Sequence, residues 1–180
     1  RGGAEALAQG FELHAQDANV LLHSGGGFDY IEIDPFGTPA PFLDSAVRHL
    51  SRGGILALTA TDTAALAGTS PAACRRKYWA QPLRNHLMHE VGLRILARKA
   101  QLVAAQYEKA LVPIYAHATL HYDRVYLQCE KSKEAVDEVL NQHQYVIYSP
   151  KGTLTVSKRN AAKPNDLVAG PCWTGQLWDA

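Results

Sequence analysis

The sequence predicts an α/β fold with a mainly parallel sheet covered by helices on both faces, and three observations predict it. Strand-like and helix-like segments alternate along the chain, the pattern that builds parallel sheets. Gly54 to Thr61 is an almost unbroken apolar and β-branched run, as a strand buried on both faces requires. The strand Phe28 to Ile33 runs straight into Asp34-Pro35-Phe36-Gly37-Thr38-Pro39, whose prolines stop it and hold a rigid loop at its end.

Composition sets the outer limits. The chain has 180 residues, 47% hydrophobic and 19% charged, which is ordinary for one globular domain with room for a small appendage. No apolar run approaches the roughly 20 residues of a membrane span, and Arg1 to Ala6 lack the apolar core of a signal peptide, so the expected location is cytoplasmic and no membrane partner is expected. Cys74, Cys129 and Cys172 are too scattered for a disulfide framework or a zinc site and read as buried apolar residues or isolated thiols. A net charge of +1 means that any nucleic acid must be met by a local basic face.

Taken in order, Ala4 to Gln9 reads as the tail of a helix and Phe11 to Gln16 as a short strand, so the chain is expected to begin in mid-fold. The turn Ser24 to Gly27 introduces the strand Phe28 to Ile33, and a helix over Phe42 to Leu50 follows the proline loop. After the strand Gly54 to Thr61 come a short helix at Pro71 to Tyr78, with proline in its first turn, and a long one over Leu83 to Gln106. Leu87, Val91, Ile95, Leu96, Leu102 and Val103 give the long helix its buried stripe. Strands at Ala110 to His117 and Arg124 to Cys129 are joined through His121 and Tyr122. Beyond Lys131 the pattern becomes a charged helix, Lys133 to Leu140, then a hairpin of Tyr145 to Tyr148 with Thr153 to Ser157, then an aperiodic loop, Lys158 to Ala169.

Ligands of open α/β sheets sit outside the carboxyl ends of the strands, so strand-ending residues are the candidates: Asp34, Asp17, Thr61 and Asp62. The loop after Ile33 suggests a particular chemistry. An exocyclic amine on a base is a poor nucleophile because its lone pair is delocalised into the ring. The Asp34 carboxylate and the Pro35 carbonyl, held rigidly, can accept its hydrogens and localise that pair, while Phe36 stacks on the base. A lone Asp-Pro is more simply a helix cap, and the adjoining aromatic and glycine are what favour a site. Asp17-Ala18-Asn19 offers an acceptor and an amide to an adenine edge, or equally a cap for a helix through Leu22. Capping is the simpler role for Asp62 and Thr63.

From Ile33 to Asp44 the sequence resembles the catalytic motif of the tRNA (guanine-26) N2-dimethyltransferases, with Thr38 where the usual form has serine. Asp17-Ala18-Asn19 is similar to that family's adenine-contacting segment. Ala60 to Ala64 with Leu66 and Gly68, Arg76-Lys77-Tyr78, Glu90 to Leu96, and Gly170-Pro171, Trp173, Gly175, Leu177 and Asp179 continue the resemblance in order. It implies a Rossmann-like methyltransferase sheet, S-adenosylmethionine as methyl donor, tRNA as partner and N2-methylated guanosine as product. Asp34, Pro35 and Phe36 would be catalytic, and Asp17 and Ala18 would hold the adenine. The family's glycine-rich loop, acidic ribose-binding residue and N-terminal RNA-facing segment are not in this sequence, so the sheet is expected to be incomplete on its N-terminal side. Residues 1–130 are then the C-terminal portion of the methyltransferase domain and 131–180 the beginning of a C-terminal α+β domain. Ser149 to Gly152 stand where some members carry paired cysteines, so no zinc ribbon is expected.

Arg75, Arg76, Lys77, Tyr78 and Trp79 form the densest basic and aromatic cluster. With Arg84, Arg94, Arg98 and Lys99 they could meet tRNA phosphates, or form a solvated helix face in which Arg94 pairs with Glu90. His86 and His89 lack a third ligand nearby, so no metal is expected. Tyr107, Tyr115, Tyr122 and Tyr126 read as sheet and core aromatics. Two other functions fit the residues alone: an adenine N6 or rRNA guanine N2 methyltransferase, whose related loops carry a second proline at the place of Phe36, and a non-catalytic RNA-binding fragment.

Overall fold

The computed structural model describes residues 12–158 and 161–178. The helix tail expected at Ala4 to Gln9 lies outside them. Residues 12–16, the described part of the strand expected from Phe11 to Gln16, are exposed and form no strand. Their alternation has no hydrogen-bonding neighbour among the described residues, and a strand exists only by pairing.

Helix α1 (Ala18–Ser24) opens on Asp17, whose carboxylate accepts the Asn19 amide at 2.7 Å. Strand β1 (Phe28–Ile33) buries Ile31 and Ile33 and exposes Tyr30 and Glu32, the period-2 pattern of a half-buried strand. A 3₁₀ turn (Ala40–Phe42) seeded by prolines leads into α2 (Leu43–His49), then β2 (Leu50–Ala60), where Leu56 to Ala60 are all buried. Helices α3 (Thr63–Leu66), α4 (Pro71–Tyr78) and α5 (Met88–Ala105) follow. The long helix starts later than the apolar stripe suggests. Asn85 Oδ1 accepts the Leu87 amide at 2.8 Å, a local turn that competes with helix until Met88.

Strands β3 (Lys109–Ala118) and β4 (Asp123–Lys131) complete a four-stranded sheet in the order β1-β2-β4-β3. Among the described residues the β1–β2 pair is parallel, and β4, inserted between β2 and β3, runs antiparallel to both its neighbours, so the sheet is mixed where a mainly parallel one was expected. The link 119–122 is the cause, because a parallel crossover needs a dozen or more residues and a hairpin only a few. Helical cover is also uneven. Leu56, Leu58, Val125 and Leu127 share one buried core with residues of helix α5, whereas the opposite face leaves Tyr30 and Tyr115 half exposed. Tyr115 and Tyr126, with ring centres 5.9 Å apart, are therefore sheet aromatics but not core.

Helix α6 (Lys133–Asn141) leads to a second sheet of β5 (His143–Tyr148), β6 (Leu154–Ser157) and β7 (Leu167–Trp173), antiparallel in the order β6-β5-β7. Strand β7 takes the end of the segment expected to be a loop. Its apolar part before Gly170-Pro171 is too short to read as a strand, and pairing with β5 supplies what periodicity does not. Gln81 and Gly170 exchange backbone hydrogen bonds of 2.8 and 2.7 Å, which dock β7 beside the end of α4. One apolar core runs through both sheets, from Ile95 and Leu96 to Cys172, Trp173 and Leu177. Each fully buried Leu or Ile contributes about 1.5–3 kcal/mol. All three cysteines are buried and free, as expected. No described helix is long and apolar enough to cross a membrane.

Candidate active site

Strand β1 delivers Asp34 at its carboxyl end with the side chain 52% exposed. Phe36 is fully exposed two residues later. Between and after them the backbone is fixed. Gly37 has φ +92°, a conformation side-chain-bearing residues avoid, and its amide donates to Thr61 Oγ1 at 2.6 Å. The Thr61 amide returns a bond of 2.9 Å to the Gly37 carbonyl. Thr38 Oγ1 accepts the Ala40 amide at 3.3 Å, and Pro39 is buried. The loop is thus clamped to the end of β2 while its carboxylate and aromatic ring face outward. Removing a phenylalanine from packing sacrifices about 1.5–3 kcal/mol of burial, so folding alone does not explain its exposure.

The charges around Asp34 lie on the open face of the sheet. Arg124 Nη2 donates to Glu32 Oε1 at 2.6 Å, and Nη1 stands 3.9 Å from Asp34 Oδ2. The Tyr30 hydroxyl donates to the other Glu32 oxygen at 3.0 Å. These two bonds, Arg124's first, hold the Glu32 carboxyl below its usual range.

One residue beyond Thr61, Asp62 was expected to cap a helix, and it does not. Its carboxylate accepts Lys77 Nζ at 2.9 Å and the Tyr78 hydroxyl at 2.5 Å, which joins the basic helix α4 to the strand end that clamps the loop. Burial, reinforced by the bond to Asp62, pushes the Tyr78 phenol up, so it stays a donor. Arg76 and Arg84 are exposed, and Arg75 is exposed with a 3.0 Å bond to Gln81 Oε1. Three other cations expected near phosphates are engaged elsewhere. Arg94 pairs with Glu90 at 2.9 Å and donates to the carbonyls of Trp173 and Gly175. Arg98 donates to the Trp79 carbonyl at 3.4 Å with its Nε buried, and Lys99, 5% exposed, lies against the Trp79 ring with its charge 2.8 Å from the centroid. These three build the fold.

Asp17 caps α1 through one oxygen and is exposed. Ala18, the first helical residue, has no acceptor for its amide within the helix. The pair therefore still offers an acceptor and a donor side by side, which suits an adenine edge. Asn19 Oδ1 accepts the Ser45 hydroxyl at 2.8 Å, tying this end to α2, the helix that follows the Asp34 loop.

Two residues at the start of β4 escaped the motif reading. Asp123 is 1% exposed, neither of its oxygens has a hydrogen-bond partner, and His89 Nδ1 lies 4.0 Å away. Burial, and next the nearby Asp62, pushes its carboxyl up to about 7. A signal existed: Asp123 shares the alternation of buried Val125, Leu127 and Cys129, which puts an acid on the apolar face, and Arg124 falls on the other face with Tyr126.

The fold and site together define a mixed α/β domain that presents an acid, proline and aromatic loop at the carboxyl edge of its sheet. The sequence profile described as N2,N2-dimethylguanosine tRNA methyltransferase matches residues 5–180, and the chain belongs to that family. It is 42% identical over 186 residues to the tRNA (guanine(26)-N(2)/guanine(27)-N(2))-dimethyltransferase of Aquifex aeolicus, covering 94% of this chain and 46% of that protein. Identity to the tRNA (guanine(26)-N(2))-dimethyltransferase of Methanocaldococcus jannaschii is 39% over 173 residues, covering 95% and 46%. The structure of Trm1 from Pyrococcus horikoshii, in complex with S-adenosyl-L-methionine, superimposes with a TM-score of 0.84 at 39% identity over 93% of this chain and 45% of that one. The α/β methyltransferase fold expected from the sequence is thereby shown. The chain spans about half the length of the relatives it matches.

Proposed function

We propose that the protein transfers methyl groups from S-adenosylmethionine to N2 of a guanine in tRNA, at position 26 as in its relatives' names, giving N2-methyl- and N2,N2-dimethylguanosine. The observation that carries the proposal is the pairing of exposed Asp34 and fully exposed Phe36 on one clamped loop. The relatives' names and the S-adenosyl-L-methionine in the Trm1 structure support it. A cytoplasmic site of action, and a division into domains near residue 130, belong to the same reading.

The bound donor supplies an electrophilic methyl group on a sulfonium sulfur. The exposed oxygen of Asp17 and the Ala18 amide would accept from and donate to its adenine. Asp34 and the Pro35 carbonyl would accept the hydrogens of the guanine amine and localise its lone pair, and Asp34 would take the proton that the nitrogen sheds as the new N–C bond replaces the donor's S–C bond. Phe36 stacks on the guanine once it leaves the helical stack, worth about 1–3 kcal/mol for an aromatic face. Arg75, Arg76, Lys77 and Arg84 meet phosphates, and the Lys77 bond to Asp62 sets the helix that carries the first three against the loop.

The test uses protein of the relatives' full length, with tRNA nucleosides analysed by mass. Asp34→Ala should abolish N2-methylguanosine formation while leaving cofactor affinity in place, and Phe36→Ala should lower turnover on tRNA. Near-normal methylation by the Asp34 variant, or a product other than N2-methylated guanosine from the unaltered protein, overturns the proposal.

A further inference from the structure

Arg124 reaches Glu32 and Asp34 from a strand that is not β1's neighbour. Strand β2 lies between them, and in register Ala57 stands between Tyr126 and Glu32 while Thr59 stands beside Arg124. The shortness of Ala57 and Thr59, both buried, lets the guanidinium cross. Glu32 and Asp34 are two apart on β1 and so point to one face, where a single cation can meet both.

The cation divides itself unequally. Its short bond goes to Glu32 at 2.6 Å, which Tyr30 also braces, and Asp34 is left at 3.9 Å, beyond hydrogen-bond distance. The edge of the guanidinium that does not meet Glu32 is turned to Asp34, with Nη1 the nearest donor to that carboxylate.

We propose that Arg124 is a positioning residue for Asp34, and that Glu32 holds it back. The guanidinium, 15% exposed and steadied by the Tyr126 ring at 5.1 Å, fixes the direction of the Asp34 carboxylate by charge. Its stronger bond to Glu32 keeps it from capturing the lone pairs that Asp34 needs for an amine. Asp34 thus remains an oriented acceptor with no committed donor. This inference rests on the proposed role of Asp34.

The experiment compares Arg124→Gln, Arg124→Lys, Glu32→Gln, the Arg124→Gln/Glu32→Gln double variant and Asp34→Ala at the relatives' full length. It measures kcat, KM for tRNA, S-adenosylmethionine affinity by calorimetry, and thermal unfolding. Arg124→Gln should lower kcat by about tenfold to a hundredfold, the scale of a small misplacement of a reacting group, with KM and cofactor affinity within about twofold. Arg124→Lys should recover part of the loss. Glu32→Gln should also lower kcat, because the freed guanidinium closes on Asp34, and the double variant should be no worse than Arg124→Gln alone. An unchanged kcat in Arg124→Gln with an inactive Asp34→Ala overturns this inference and leaves the proposed function standing. A loss without lysine rescue that tracks unfolding overturns it as well, and an active Asp34→Ala defeats both.

Discussion

Gly37 and Thr61 bind each other twice, amide to side-chain oxygen at 2.6 Å and amide to carbonyl at 2.9 Å, across the carboxyl ends of two parallel strands. The side-chain bond is the separable half. Thr61→Val keeps the shape, the β-branching and the backbone bond, and deletes only the acceptor. The net loss in stability should be about 1 kcal/mol, the ordinary worth of one hydrogen bond, because Thr61 is exposed and water can serve the freed amide. The effect on turnover should be larger, about tenfold, since the loop carrying Asp34 and Phe36 gains freedom. Single-turnover kinetics beside thermal melts check this; equal small effects on both would mean that the clamp does not position the loop.

The cations of α4, of α5 and of the link between them divide into two groups. Arg76 and Arg84 are exposed, whereas Arg94, Arg98 and Lys99 are held by Glu90, backbone carbonyls and the Trp79 ring. Arg76→Ala and Arg84→Ala should each weaken tRNA binding and reduce the slope of log affinity against log salt by about one. Arg94→Ala should leave that slope unchanged and lower the melting temperature, having removed its donors to the Trp173 and Gly175 carbonyls. Filter binding over a salt series decides the matter, and a slope change in Arg94→Ala with none in Arg76→Ala would reverse the assignment.

The division between these two groups of cations was invisible in the sequence, where all are basic residues on helical segments. What separates them is contact with Trp173, Gly175 and the Trp79 carbonyl, partners as far as 81 positions away. Asp34 was legible for the opposite reason: strand, acid, proline and aromatic are adjacent, and a strand end is a local event. The mixed character of the sheet was also within reach, since the short link after Ala118 forbids a parallel crossover. Periodicity alone did not reveal β7, because that strand depends on pairing with β5. The residues at 12–16 show the converse, an alternation with nothing to pair against.

The buried Asp123 makes stability depend on pH, with a sign fixed by linkage. Its carboxyl lies at about 7 in the folded protein against an ordinary 3.8, so the fold favours the protonated acid. That contribution is complete below about pH 4 and is lost as pH rises through about 7, where the buried carboxylate ionises without a hydrogen-bond partner. The interval corresponds to at most roughly 4 kcal/mol. Asp123→Asn is nearly isosteric and cannot ionise, and its amide fits the space that Gly92 leaves, where a Cβ would lie 3.1 Å from Asp123 Oδ2. The variant should therefore gain stability relative to the natural protein as pH is raised from 5 to 8, by up to about 3 kcal/mol. Thermal melts at several pH values test this. A difference that stays constant with pH would show that Asp123 does not change its ionisation in this range, and a difference of opposite slope would mean that its charged form is the one the fold stabilises.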